Sequence, residues 1–190
     1  VALVADTPGG ATLLVSESRF VLNSAGLPPG VPGIGGAIHA SGRSSVHLLD
    51  SWLDNNIASE APALYSDFGA VAIERSTITN HESDNATLRL SNVEPVRIEN
   101  STITNNRSQH AILFFTSDGA TTIQNATITN NAAPTTILNP LVLYSTVGMR
   151  NSVLYNSATE RECVGVTSLG HNACPPGDEG ACSFSSTTDI

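Results

Sequence analysis

The chain has 190 residues and a formal net charge of −9, with 13% charged and 5% aromatic residues. That length can bury a core of its own. The acidity argues against nucleic acid, whose phosphates need Lys and Arg, and against electrostatic docking on anionic lipid; no run is long and apolar enough to span a membrane.

The chain opens at Val1 without an initiator Met, which reads as a mature or trimmed polypeptide. Residues 1–24 carry a degenerate copy of a unit that becomes regular later. Leu13 and Val15 precede Ser18 as Val46 and Leu48 precede Ser51, and Phe20 stands where Leu53 stands. A Gly/Pro stretch, Gly26-Leu27-Pro28-Pro29-Gly30-Val31-Pro32-Gly33, interrupts it as an insert loop over residues 25–35.

From Val46 to Ser157 the chain repeats. Asp50-Ser51-Trp52-Leu53-Asp54-Asn55-Asn56 returns as Arg75-Ser76-Thr77-Ile78-Thr79-Asn80-His81 and as Asn100-Ser101-Thr102-Ile103-Thr104-Asn105-Asn106. It returns again as Asn125-Ala126-Thr127-Ile128-Thr129-Asn130-Asn131 and Asn151-Ser152-Val153-Leu154-Tyr155-Asn156-Ser157. The step is 25 residues three times and then 26. A fixed period in this range marks a repeat architecture. Before each Ser lie alternating apolar pairs such as Val71/Ile73 and Val96/Ile98, and two residues after it lies Leu53, Ile78, Ile103, Ile128 or Leu154. Alternation means strands with one buried face. A third apolar run, such as Ile112-Leu113-Phe114, completes each unit.

These features predict an all-β fold, a right-handed single-stranded parallel β-helix of about 25 residues and three strands per coil. About six coils are expected over residues 1–158, with residues 159–190 as a Cys/Gly/Pro-rich terminal segment on the last coil. A leucine-rich repeat has a similar period, but no stretch here is Leu-rich or shows helical periodicity. The column Asn55, Asn80, Asn105, Asn130 and Asn156 predicts an asparagine ladder, with corner residues turned inward and bonded along the axis.

Cys163, Cys174 and Cys182 fall within 20 residues. A metal site would need more ligands at tighter spacing, so a disulfide in an oxidising compartment is expected, with one cysteine left over, and neither metal nor cofactor.

The run Asn151–Asn156, then Glu162-Cys163-Val164-Gly165, Thr167-Ser168-Leu169-Gly170-His171-Asn172, Cys182-Ser183-Phe184 and Thr188-Asp189-Ile190, resembles the end of bacterial right-handed β-helix proteins. These are the choice-of-anchor type, akin to polymorphic outer membrane proteins, with a pectate-lyase-like fold. Gly35-Gly36-Ala37-Ile38 and the Ser-Thr-Ile-Thr-Asn phrases are similar to their coil motifs. The resemblance implies export, surface display, and pairing of Cys163 with Cys182. It implies no agreed activity.

Chemistry must therefore be sought in register columns. Glu74 and Glu99 share one, a candidate acid/base pair for a polysaccharide lyase or hydrolase; flanking Arg75 and Arg97 suit a solvated, neutralised pair instead. No nucleophile–base pair announces itself. Thr77/Thr79, Thr102/Thr104 and Thr127/Thr129 form an outward Thr-x-Thr array, ended by Trp52/Asp54 and Val153/Tyr155. Such an array resembles the ice-binding face of some β-solenoid antifreeze proteins, and is also what exposed β-strands favour. The expected function is an exported, adhesin-like rod without catalytic activity. Its expected partner is glycan or another cell-surface component, with self-association through the end coils. A carbohydrate-active enzyme and an ice-binding protein are the alternatives.

Overall fold

The computed structural model describes residues 3–6, 10–26, 33–91, 95–116, 119–138, 146–156, 161–174 and 188–190. Among them there is no helix, and hence none to cross a membrane. Every strand pairing is parallel, and strands stack about 25 residues apart into a β-solenoid. Its most regular part is about four turns long.

Each coil visits the same sheets in turn. Sheet 1 has seven strands, from Leu3–Asp6 through Ile38–Ser41, Leu64–Asp67, Ala86–Ser91, Ala111–Thr116 and Thr135–Leu138 to Arg161–Val164. Sheet 2, also seven-stranded, runs from Thr12–Ser16 to Val166–Ser168. Sheet 3 has six strands of three residues, Arg19–Val21, Trp52–Asp54, Thr77–Thr79, Thr102–Thr104, Thr127–Thr129 and Val153–Tyr155. Three middle coils add a two-residue strand as sheet 4: Ile57–Ala58, Glu82–Ser83 and Arg107–Ser108. This fourth strand was not expected, because two residues are too few to show alternation.

The inward residues make one core. Val46/Leu48, Val71/Ile73 and Val96/Ile98 from sheet 2 meet Leu53, Ile78, Ile103 and Ile128 from sheet 3, and Leu64, Leu88, Leu90 and Leu113 from sheet 1. Identical residues stack on themselves, so each coil buries apolar area against the next as well as across the lumen. The insert's described ends rejoin the stack, with Glu60 N–H donating to Gly33 O and Gly35 N–H to Glu60 O. Gly35 has φ +66, and a Cβ there would lie 2.7 Å from Ile38 O, so only glycine fits.

Two corners flank sheet 3, and both are held from inside. At the first, Asp50, Arg75, Asn100, Asn125 and Asn151 take the left-handed conformation, and the next residue turns inward. Ser51 Oγ accepts the amide of Ser18, Ser76 Oγ that of Ser51, and Ser101 Oγ that of Ser76, each at 3.1 Å. These hydroxyls donate in turn to the carbonyls of Leu49, Glu74 and Glu99. The column continues with Ser152 under the amide of Ala126, Asn172 under that of Ser152, and Asp189 under that of Asn172.

At the second corner Asn55, Asn80, Asn105 and Asn130 are left-handed, with φ between 53° and 57°. The expected ladder needs correcting here. These four side chains face solvent, and the ladder runs through the following residue: Asn23, Asn56, His81, Asn106, Asn131 and Asn156. Strict alternation would turn Asn105 inward after inward Ile103. A left-handed residue breaks alternation, so Thr104 and Asn105 both point out and Asn106 points in. Asn156 alone of the expected five belongs to the ladder, because Tyr155 is followed by no corner residue. In each rung a backbone N–H donates to the next side chain, as Asn106 N–H does to Asn131 Oδ1 at 3.0 Å. Asn106 Nδ2 and Asn131 Nδ2 also donate to the carbonyls of Ile78 and Ile103.

His81 substitutes for asparagine in one rung. Its Nδ1 accepts the Asn56 amide at 3.0 Å, which places the neutral ring's proton on Nε2. Nε2 faces the carbonyl of Leu53, the group an asparagine would bond, but is buried without a well-formed partner. Burial penalises the imidazolium and holds the pKa at about 4, against 6.5 when free.

Three outcomes test these corners. Asn106→Ala orphans the buried His81 amide and should cost about 1–3 kcal/mol in urea unfolding, whereas Asn105→Gly should be nearly neutral. Ala126 lacks the hydroxyl that its column offers the Ser101 amide, so Ala126→Ser should add about 1 kcal/mol and raise Tm. For His81, folded and unfolded chains are both neutral above pH 6.5. As pH falls from there towards about 4 the unfolded chain takes up the proton first, and stability drops by about 3 kcal/mol. In His81→Asn that part of the pH dependence should vanish, as stability measured against pH would show.

Candidate functional site

The repeat makes outward positions alike, so a face that binds something should carry residues the stacking does not require. Sheet 2 carries charge. Glu74 and Glu99 stand directly in register. Glu99 is bound by Arg97 at 2.8 Å, and Glu74 lies 3.4 Å from His47 Nε2 and 3.9 Å from Arg75. Arg75 also grips Asp50 with two contacts, at 2.7 and 2.9 Å, which holds the Asp50 carboxyl below the usual carboxylate range. Arg150 completes the pattern by donating to Gln124 at 3.0 Å. The result is a row of neighbouring charged and polar groups, and each carboxylate of the candidate acid/base pair has a cation or imidazole beside it.

Sheet 1 carries an outward column of His39, Tyr65, Arg89 and Phe114. It too closes on itself. His39 meets the edge of Tyr65 with ring centroids 5.0 Å apart. Arg89 lies 5.3 Å over the Phe114 ring and pairs with Glu60. Beside sheet 4 is an open depression of about 240 Å³ lined by Ser24, Ile57, Ser59, Glu82 and Asp84 among others. Among the described residues no three His, Cys, Asp or Glu side chains gather as a metal-holding group. Cys163 packs on the core's edge in sheet 1; its expected pairing with Cys182 lies outside the described residues, as Cys182 does.

Sheet 3 differs. Its outward columns are Arg19–Trp52–Thr77–Thr102–Thr127–Val153 and Val21–Asp54–Thr79–Thr104–Thr129–Tyr155. The Thr array is thus in strict register, as its spacing implied. None of the six hydroxyls bonds another described residue. The ladders at both corners pin every strand of this sheet at its two ends, so the floor is rigid.

Both ends of the array stand proud. Trp52 is 44% exposed, and Val153 and Tyr155 are 42% and 54% exposed. Arg19 places its guanidinium 4.7 Å over the indole. It comes from the preceding coil, on the side of Trp52 opposite the Thr rows. Asp54 is held by Arg19 at 3.6 Å and by Asn80 Nδ2 at 2.9 Å. A two-row threonine face results, with Thr79 buried within it, bounded at each end by an exposed aromatic. In the sequence the Thr rows are plain, and Trp52 and Tyr155 are the places where the pattern stops. Their signal was available: two of the chain's few aromatics at outward strand positions, where structure asks for nothing aromatic.

No protein-family model, no curated protein and no solved structure matches this chain.

Proposed function

We propose that this protein is an exported, rod-like binding protein of the bacterial surface or extracellular space, and that sheet 3 is its carbohydrate-binding face. The observation that carries this reading is the threonine face: in-register threonines whose hydroxyls have no bond to another described residue, between exposed Trp52 and Tyr155. Sugars present flat C–H faces to aromatic rings and hydroxyls to polar floors, and both are on offer here. The resemblance of most of residues 35–190 to choice-of-anchor β-helix proteins supports the export and surface assignment, as does the expected disulfide. The reading is non-catalytic because Arg97 holds Glu99 and Glu74 stands beside Arg75 and His47, so the acidic pair is neutralised by its neighbours.

The Thr rows also support ice binding, the second reading, which the projecting aromatics oppose because they interrupt a flat face. A screen of plant and microbial polysaccharides separates the readings. Binding to a glycan without release of unsaturated products or reducing ends, weakened about tenfold or more by Trp52→Ala, is the expected result. Turnover abolished by Glu99→Gln would replace this reading with an enzyme. Thermal hysteresis lost in Thr102→Tyr would replace it with ice binding.

A further inference from the structure

We infer that the ligand of this face is a neutral, extended glycan lying along the solenoid axis and touching Trp52 near one end and Tyr155 near the other. The inference rests on the carbohydrate-binding reading and adds direction, length and charge to it.

Direction follows from the shape of the sheet. Each strand has three residues with the middle one turned inward, so the face is two side chains wide, about 7 Å along the strand. Along the axis it is much longer. Trp52 and Tyr155 belong to strands four steps apart in one parallel sheet, a distance of about 19 Å at the interstrand spacing. Across the sheet there is room for little more than one sugar ring. Along it, on the order of four rings can follow the coils, each above a Thr pair or an end aromatic.

The aromatics are placed for such a ligand. Arg19 lies over the indole from the preceding coil, and Trp52 keeps 44% of its surface exposed beside Thr77. Tyr155 closes the opposite end from the other column, next to Thr129. A chain running between them crosses Thr77, Thr102, Thr104 and Thr129, whose hydroxyls can both donate and accept.

Charge follows from what the face lacks. Its charged groups are Arg19 and Asp54, which face each other at 3.6 Å, with Asp54 further tied to Asn80. An acidic sugar would find no uncommitted cation on the floor, and the chain's net charge of −9 would repel an acidic polymer. Neutral polymers meet neither obstacle.

The test is calorimetric titration of the full chain with β-1,4-linked dimers, tetramers and hexamers of glucose, N-acetylglucosamine and mannose, and with oligogalacturonates of the same lengths. Trp52→Ala, Tyr155→Ala and Thr102→Tyr are titrated alongside, with far-UV spectra and melting curves confirming that each variant folds. A neutral hexamer should bind about tenfold or more tighter than its dimer, and each substitution should bring the hexamer down towards the dimer. Affinity independent of length, a preference for oligogalacturonate, or an effect of Trp52→Ala with none of Tyr155→Ala would overturn the axial, neutral ligand while leaving carbohydrate binding in place. Absence of binding by every oligomer of either charge would remove both.

Discussion

The structure depends on how it satisfies backbone amides at its sharpest bends. A corner takes one residue out of the β-ladder, and the next residue must bury its N–H inside the lumen, away from water. An unpaired buried amide is costly. Here these amides, that of Ser101 opposite Ala126 excepted, are met by a side chain from the next coil: mainly serine hydroxyls before sheet 3, and asparagine amides, with one imidazole, after it. Each side chain serves its neighbour and is served by the next, so the bonds couple coils rather than residues. Apolar stacking supplies the larger driving force, but it is non-directional. The two ladders set the register in which that stacking occurs, and a slip of one residue would break every rung at once.

The same constraint shapes the proposed binding face. Sheet 3 is the short span between the ladders. Its strands cannot lengthen, fray or twist independently, because both ends are bonded into the lumen. Side chains facing outward from such a span are held in fixed rows at the interstrand spacing. That rigidity removes much of the ordering cost a ligand would otherwise meet. The contrast with sheets 1 and 2 is chemical, not architectural. Their outward groups have already found one another, as Arg97 has found Glu99 and Arg89 has found Glu60, whereas those of the Thr rows have not.

The fold was largely legible in the letters because the repeat reports it directly. Ser51, Ser76 and Ser101 mark the step, and the Val/Ile pairs before them mark the buried face. What failed is instructive. Period-two alternation puts the asparagine ladder one residue early, on Asn55 and its equivalents, because a left-handed corner residue suspends that alternation. The serine column is legible as a landmark but not as a second ladder. Nothing in Ser-Thr-Ile-Thr says that the hydroxyl turns inward to receive an amide from the coil before. The two-residue strands of sheet 4 are too short to show any period. Of the binding face, the Thr rows were readable from spacing alone. The roles of Trp52 and Tyr155 needed the third dimension, since only stacking shows that they close two ends of one surface.

Amide hydrogen exchange followed residue by residue tests the ladder account most directly. The amides of Ser51, Ser76, His81, Asn106 and Asn131, which donate to ladder side chains, should exchange only with global unfolding, as slowly as those of Ile78 and Ile103 in the core. Ser101 has an amide opposite Ala126, and it should exchange measurably faster than its counterparts at Ser51 and Ser76. If the ladder amides exchange as fast as those of exposed loop residues, or if Ser101 is as protected as Ser76, the ladders do not hold the corners.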